Sequence, residues 1–130
     1  MDKEIICVDT SLFIDYFRKQ KKERTLLAKL SDEYDFCISV ITKLEIGVGI
    51  GKGQKDFWDT VFQKLTILPL TELEIDKASD IIQSLRKSNK IVGLQDILIA
   101  STAIVNDFTL ATLNLKDFGR IPGLKVLDRQ

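Results

Sequence analysis

The chain contains no histidine. That absence removes the imidazole general base, the Ser-His-Asp triad, the Cys-His pair and His-ligated zinc from the chemistry open to it. Cysteine is scarce as well. Cys7 and Cys37 lie singly in short apolar runs, Ile5-Ile6-Cys7-Val8 and Phe36-Cys37-Ile38, without metal-ligand spacing, and read as small buried hydrophobes. Prolines number two, and no Pro/Ser-rich linker, repeat or low-complexity segment interrupts the sequence, so residues 1–130 are expected to form one domain. No apolar run approaches the roughly 20 residues of a membrane helix. The charged start Met1-Asp2-Lys3-Glu4 leads into too few apolar residues for a signal peptide. A cytoplasmic location with no membrane partner is expected. Nor is there an excess of one charge: 19 Lys+Arg meet 19 Asp+Glu. This argues against holding nucleic acid by bulk positive charge.

What the chain does contain is regular alternation of strand and helix patterns. Glu4 to Val8 reads as a strand buried on both faces, followed by helical spacing from Leu12 to Phe17. A basic turn, Arg18 to Lys22, precedes a helix over Leu26 to Leu30 and a strand at Phe36 to Ile38. Ser39 can cap a helix running to about Ile50, where Gly47, Gly49, Gly51 and Gly53 break it. A helix over Asp56 to Leu65, a strand at Ile67-Leu68 and a helix from Thr71 to Lys87 follow, the last opening on a capping-box pattern with Glu74. Leu94 to Val105 is apolar on nearly every side, which predicts a buried helix. Strands are expected at Phe108 to Thr112 and, after the turn Ile121-Pro122-Gly123-Leu124, at Lys125 to Leu127. Strands separated by helices imply a mainly parallel sheet of four to five short strands, covered by helices on both faces. Ligands in such folds bind beyond the carboxyl ends of the strands.

Four carboxylates stand in apolar company there. Asp9 closes the first strand; its bland role is a helix N-cap, although Thr10 and Ser11 would cap equally well. Glu45 has Ile41 and Val48 as helical neighbours, which predicts a buried apolar face and a need for a cation, a salt-bridge partner or a proton. Asp96 opens the most apolar helix, as cap or ligand, and Asp117 follows the Phe108 to Thr112 strand as turn residue or fourth acid. Converging carboxylates repel by about 4 kcal/mol per pair at 4 Å and an effective dielectric near 20. A purely structural site avoids that cost. An oxygen-only cluster suits a hard divalent cation, Mg²⁺ or Mn²⁺.

The segments Val8-Asp9-Thr10-Ser11-Leu12-Phe13-Ile14-Asp15, Ser39-Val40-Ile41-Thr42-Lys43-Leu44-Glu45-Ile46-Gly47, Gly93-Leu94-Gln95-Asp96-Ile97-Leu98-Ile99-Ala100-Ser101-Thr102-Ala103, Leu110-Ala111-Thr112-Leu113-Asn114-Leu115-Lys116-Asp117-Phe118 and Ile121-Pro122-Gly123-Leu124 occur in this order. Together they resemble the PIN-domain ribonucleases, in particular the VapC-type toxins of bacterial toxin–antitoxin pairs. The resemblance covers essentially the whole chain. It implies a three-layer α/β/α fold, metal-dependent endoribonuclease activity on RNA, frequent homodimers and inhibition by a small antitoxin. It also implies Asp9, Glu45 and Asp96 as core acidic ligands and Asp117 as the fourth. Thr112 and Asn114 stand beside them, and Ser11 is the small polar residue that orients ligands. Whether Asn114 or Asp117 lies closer to the metal stays open. Ser101 replaces a usual Ala.

By this reading one or two Mg²⁺ ions position a water for attack on a phosphodiester. With no His, proton transfer falls to metal-bound water or a carboxylate. Arg18, Lys19, Lys21, Lys22 and Arg24 would guide the RNA backbone, bind an acidic antitoxin tail, or simply form a solvated turn. A receiver domain or aspartate-nucleophile phosphatase fits less well, since Ser11 stands where the phosphatase needs a second Asp. A PIN nuclease of RNA processing or DNA flaps, and a catalytically silent protein-binding module, are the competing roles for the same fold. Setting the four carboxylates aside leaves a basic surplus over the rest of the chain, so overall neutrality is an average.

Overall fold

Side chains of a strand point alternately to its two faces, and here that alternation creates the layers. The computed structural model describes residues 2–49 and 53–128. Strand β1 (Glu4–Val8) sends Ile6 and Val8 into one core and Cys7 into another. In β2 (Tyr34–Ser39), Ile38 and Cys37 divide in the same way. With β3 (Thr66–Leu68) and β4 (Leu110–Ala111), these strands form a sheet in the order β3-β2-β1-β4, parallel at every pairing.

The core holding Ile6, Val8 and Ile38 is closed by α1 (Thr10–Arg18), α2 (Leu26–Ser31), α3 (Val40–Gly49) and α4 (Lys55–Gln63), which contribute Leu12, Phe13, Leu27, Leu30, Ile46 and Trp58. Trp58 is its centre, with ring centroids of Phe57 at 5.2 Å, Phe17 at 5.7 Å and Phe13 and Phe62 at 6.2 Å. The opposite core is closed by α5 (Glu72–Lys87), α6 (Leu94–Val105) and α7 (Leu115–Phe118). The result is the expected three-layer α/β/α arrangement.

Local sequence explains where the elements begin. Thr71 and Glu74 close a capping box on α5, with Glu74 Oε1 accepting from both the amide and the hydroxyl of Thr71 at 2.7 Å. These bonds hold the Glu74 carboxyl below its ordinary range. Ser39 Oγ accepts from the Ile41 amide at 3.1 Å and so caps α3. In α6, Ile97, Ile99, Ala100 and Ala103 are buried, and the Ser101 hydroxyl, also buried, donates to the Ile97 carbonyl at 2.7 Å. That bond makes the serine harmless in an apolar helix. Cys7 and Cys37 are register partners across β1 and β2, both free and buried. Contact with the Cys37 thiol, together with burial, pushes the Cys7 thiol up, so it stays neutral.

Four expectations are corrected. The strand expected at Lys125 to Leu127 is a single parallel bridge, Leu110 to Val126, because β4 offers it only two residues. The strand expected over Phe108 to Thr112 is accordingly shortened to Leu110–Ala111. Asp117 is not in a loop turn but in the first turn of α7. Val48 does not bury beside Glu45: it is 79% exposed, and Glu45 is half-buried. Ile50 and Gly51, where the sequence pattern ends α3, lie outside the described residues.

Candidate active site

β1 and β4 are neighbours, and β2 lies on the other side of β1. The chain therefore leaves β1 at a switch in strand order, where an α/β sheet opens a crevice at its carboxyl edge. Asp9 is the first residue beyond β1 and Thr112 the first beyond β4. The Asp9 amide extends the pairing by donating to the Ala111 carbonyl at 2.9 Å, which sets the two residues side by side.

Asp9 occupies the N-cap position of α1, yet its side chain makes no capping bond. Its Oδ2 instead accepts from the Thr112 hydroxyl at 2.6 Å and the Ser11 hydroxyl at 2.7 Å. Both donors are on one oxygen, so the carboxylate is held in orientation with Oδ1 left over. Asp9 is 4% exposed, and no Lys or Arg pairs with it among the described residues. The Ser11 and Thr112 oxygens are 3.5 Å apart, and each also accepts a loop amide, from Leu113 at 3.0 Å and from Asn114 at 2.9 Å.

Glu45 reaches the same edge from α3. Its Oε1 lies 2.8 Å from the Thr10 hydroxyl, itself 3.1 Å from the buried Thr42 hydroxyl. A salt bridge to Glu45 is absent among the described residues. Sequence reasoning misses Thr10 and Thr42 as partners, because a threonine after a strand reads only as a cap. Asp96 sits in the first turn of α6, whose N-cap is Gly93, and it makes no cap bond. Asn114 Nδ2 stands between two acids, 3.3 Å from Asp96 Oδ2 and 3.1 Å from Asp117 Oδ2. Asp117 also has Arg120 Nη1 at 3.8 Å, and the same guanidinium donates to the Ile91 carbonyl at 2.8 Å.

Burial and then the charges of Asp9, Glu45 and Asp117 push the Asp96 carboxyl from its ordinary 3.8 up to about 6. The other three predicted acids are thus near enough to act on Asp96. A helix N-terminus ordinarily favours a carboxylate; here desolvation and like charge win. Among the described residues no three Asp, Glu or Cys side chains draw together closely enough to enclose an ion. Four like charges spread over the crevice rather than gather at a point. The donor set is nonetheless all oxygen, with Arg120 its one cationic neighbour among the described residues, and that composition fits a hard divalent ion.

The basic stretch does not form one patch. The Lys22 ammonium donates to the carbonyls of Tyr16, Phe17 and Lys19 at 2.8, 3.0 and 3.2 Å and lies over the Tyr16 and Phe17 rings, so it closes the end of α1. Arg18 lines a groove with Phe17, Ile46 and Trp58. Lys19, Lys21 and Arg24 border a different pocket, together with Lys29 and Leu113. A groove of about 650 Å³, lined by Phe13, Tyr16, Tyr34 and Trp58 among others, contains none of the candidate residues.

Comparison with known proteins accords with this geometry. The PIN domain family matches residues 6–124. Ribonuclease VapC1 of Methanocaldococcus jannaschii is 35% identical over 127 residues, covering 95% of this chain and 88% of that protein. Ribonuclease VapC1 of Rickettsia felis is 40% identical over 94 residues, covering 68% and 70%. Among solved structures, VapBC2 from Rickettsia felis, bound to a DNA fragment from its promoter, superposes with a TM-score of 0.80 at 26% identity over 97% of this chain and 99% of that one. VapBC-1 from nontypeable Haemophilus influenzae shares the fold, with a TM-score of 0.79 at 22% identity over 95% and 97%. A PIN-domain match over most of the chain, with relatives of this identity and coverage, makes the chain a member of the PIN-domain family, among the VapC-type ribonucleases.

Proposed function

We propose that the protein is a divalent-metal-dependent endoribonuclease acting as the toxin of a toxin–antitoxin pair. The observation that carries this reading is the placement of Asp9, Glu45 and Asp117 around the half-buried Asp96 at the carboxyl edge of the sheet, near enough for their charges to help raise its carboxyl, where only Asp117 has a cationic neighbour among the described residues. Mg²⁺ or Mn²⁺ is the cofactor, and Asp9, Glu45, Asp96 and Asp117 are the residues that would hold it. Such an ion, when bound, supplies positive charge to a phosphodiester and acidifies a water. The chain's own contribution is orientation. Ser11 and Thr112 fix Asp9, Thr10 fixes Glu45, and Asn114 ties Asp96 to Asp117. Fixing ligands through such outer hydrogen bonds is what makes an oxygen site selective and strong.

The substrate in this reading is RNA, and the protein partners are a small cognate antitoxin and a second copy of the chain. Support for an antitoxin comes from the VapBC structures; support for self-association comes from exposed apolar side chains at Leu44, Val48, Ile91 and Leu94. No helix among the described residues is long and apolar enough to cross a membrane, and the reading places the protein in the cytoplasm.

The test is direct. Purified protein is incubated with RNA in Mg²⁺, Mn²⁺ or EDTA, beside Asp96→Asn. Cleavage in metal alone, lost in the variant, is expected; cleavage that survives EDTA or the substitution would overturn the metal role. Induced expression in bacteria with and without the adjacent small open reading frame tests the toxin assignment, which predicts growth arrest relieved by the neighbour and absent in Asp9→Asn.

A further inference from the structure

Lys19, Lys21, Arg24 and Lys29 converge on one pocket of about 530 Å³, within the range of about 300–1,000 Å³ usual for ligand sites. Its remaining walls are Asp15, Thr25, Leu26 and Leu113. The one carboxylate, Asp15, lies 3.6 Å from the Lys19 ammonium and so is already neutralised. Lys21, Arg24 and Lys29 are exposed, and no carboxylate pairs with them among the described residues. Four cations facing one paired carboxylate make a strongly positive concavity in a protein that is neutral overall.

Its position is as informative as its charge. Leu113 is a wall of the pocket, and its amide donates to Ser11 Oγ at 3.0 Å. Ser11 in turn donates to Asp9 Oδ2 at 2.7 Å. The loop residues on either side of Leu113 are Thr112, bonded to Asp9, and Asn114, bonded to Asp96 and Asp117. The pocket and the acidic crevice therefore share one loop as their common wall. A strand whose scissile phosphate lies at the acids has this positive pocket immediately beyond that wall.

We infer that this pocket seats the backbone phosphates flanking the scissile bond of a single-stranded RNA, an inference that rests on the nuclease reading above. Contact with phosphate oxygens is sequence-tolerant and positions the strand without reading its bases. Continuity with the catalytic loop favours RNA over an acidic protein segment, which needs no such continuity. Lys22 and Arg18, though close in sequence, take no part, because one caps α1 and the other faces a separate groove.

The experiment is fluorescence anisotropy of a labelled single-stranded oligouridylate across a salt series in EDTA, with cleavage of the same RNA followed separately in Mg²⁺ and Mn²⁺. For single strands each phosphate contact contributes about 0.7 to the slope of log affinity against log salt. Lys21→Ala, Arg24→Ala and Lys29→Ala are each expected to weaken binding about threefold or more and to lower the slope by about 0.7, and the triple variant by about 2. Arg24→Lys keeps the charge and is expected to keep the slope. Lys64→Ala, an exposed lysine at the amino edge of the sheet where α4 leads into β3, is expected to bind as wild type does, which separates a local from a global charge effect. Wild type that cuts no RNA in either metal overturns the nuclease reading and this inference with it. Wild type that cuts RNA, with a triple variant of unchanged affinity and slope, overturns the inference alone. Variants that keep RNA affinity but lose binding to labelled oligoglutamate overturn it in favour of a protein ligand.

Discussion

Thr112 donates a 2.6 Å hydrogen bond to Oδ2 of Asp9, 103 residues earlier in the chain. It is the shortest link between the two ends of the site, and it exists because β4 pairs with β1. Thr112→Val keeps the shape and removes the hydroxyl. The expected result is a drop of about 10- to 100-fold in Mn²⁺ affinity, read by titration, with Thr112→Ser restoring it. Valine that binds Mn²⁺ as tightly as wild type would deny the hydroxyl its orienting role.

Asp96 gives a pH dependence whose sign can be worked out. Its carboxyl is raised from 3.8 to about 6 on folding, so the folded chain holds this proton more tightly than the unfolded chain does. Its contribution to stability is therefore lost as pH climbs from about 4 to about 6, and is level above that. Thermal melts of wild type should fall across this window more steeply than those of Asp96→Asn. At neutral pH the variant should be at least as stable as wild type. Parallel profiles would mean that burial and the neighbouring acids do not raise the Asp96 carboxyl.

Added Mn²⁺ should reverse the same repulsion. At 100 times the dissociation constant the gain is about 2.7 kcal/mol by linkage, visible as a higher melting temperature. Asp96→Asn should gain markedly less. Equal shifts in the two proteins would place the ion elsewhere.

Gly119 ends α7, and a Cβ there would stand 2.7 Å from the Leu115 carbonyl oxygen. Backbone cannot give way as a flexible side chain does, so Gly119→Ala must displace α7 and with it Asp117. Overpacking of this kind costs about 1–3 kcal/mol, whereas a misplacement near 1 Å at a catalytic centre costs about 100-fold in rate. Denaturant unfolding and RNA cleavage measured together should show a modest loss of stability and a large loss of rate. Lost stability with an unchanged rate would remove Asp117 from the active centre, and unchanged stability would show that the turn takes up the methyl without moving α7.

Much of this molecule is legible from local pattern. Strand β1, helix α6 and the α5 capping box depend on near neighbours in sequence, and each reads from them with little error. The four acids are legible because carboxylates in apolar surroundings demand an explanation. The arrangement around them is not. Thr10, which contacts Glu45, and Asn114, which bridges Asp96 and Asp117, act across 35 and 18 residues, and no periodicity encodes such a contact. The four-residue α7 is too short to show helical spacing. Lys22 misleads for a related reason: in sequence it belongs to a basic run, and only the end of α1 shows where its ammonium goes.

The strand order β3-β2-β1-β4 also bears on how the nuclease comes into being. Ribosomes deliver β1, β2 and β3 first, and those three strands already make a continuous sheet with Asp9 at its rim. Thr112, Asn114 and Asp117 arrive only after residue 110, when β4 docks on the open edge of β1. A nascent chain that has folded through α6 thus still has Asp9 without Thr112 and Asp96 without Asn114. The acidic crevice is therefore among the last parts of the fold to be completed, whatever the order in which its acids are made.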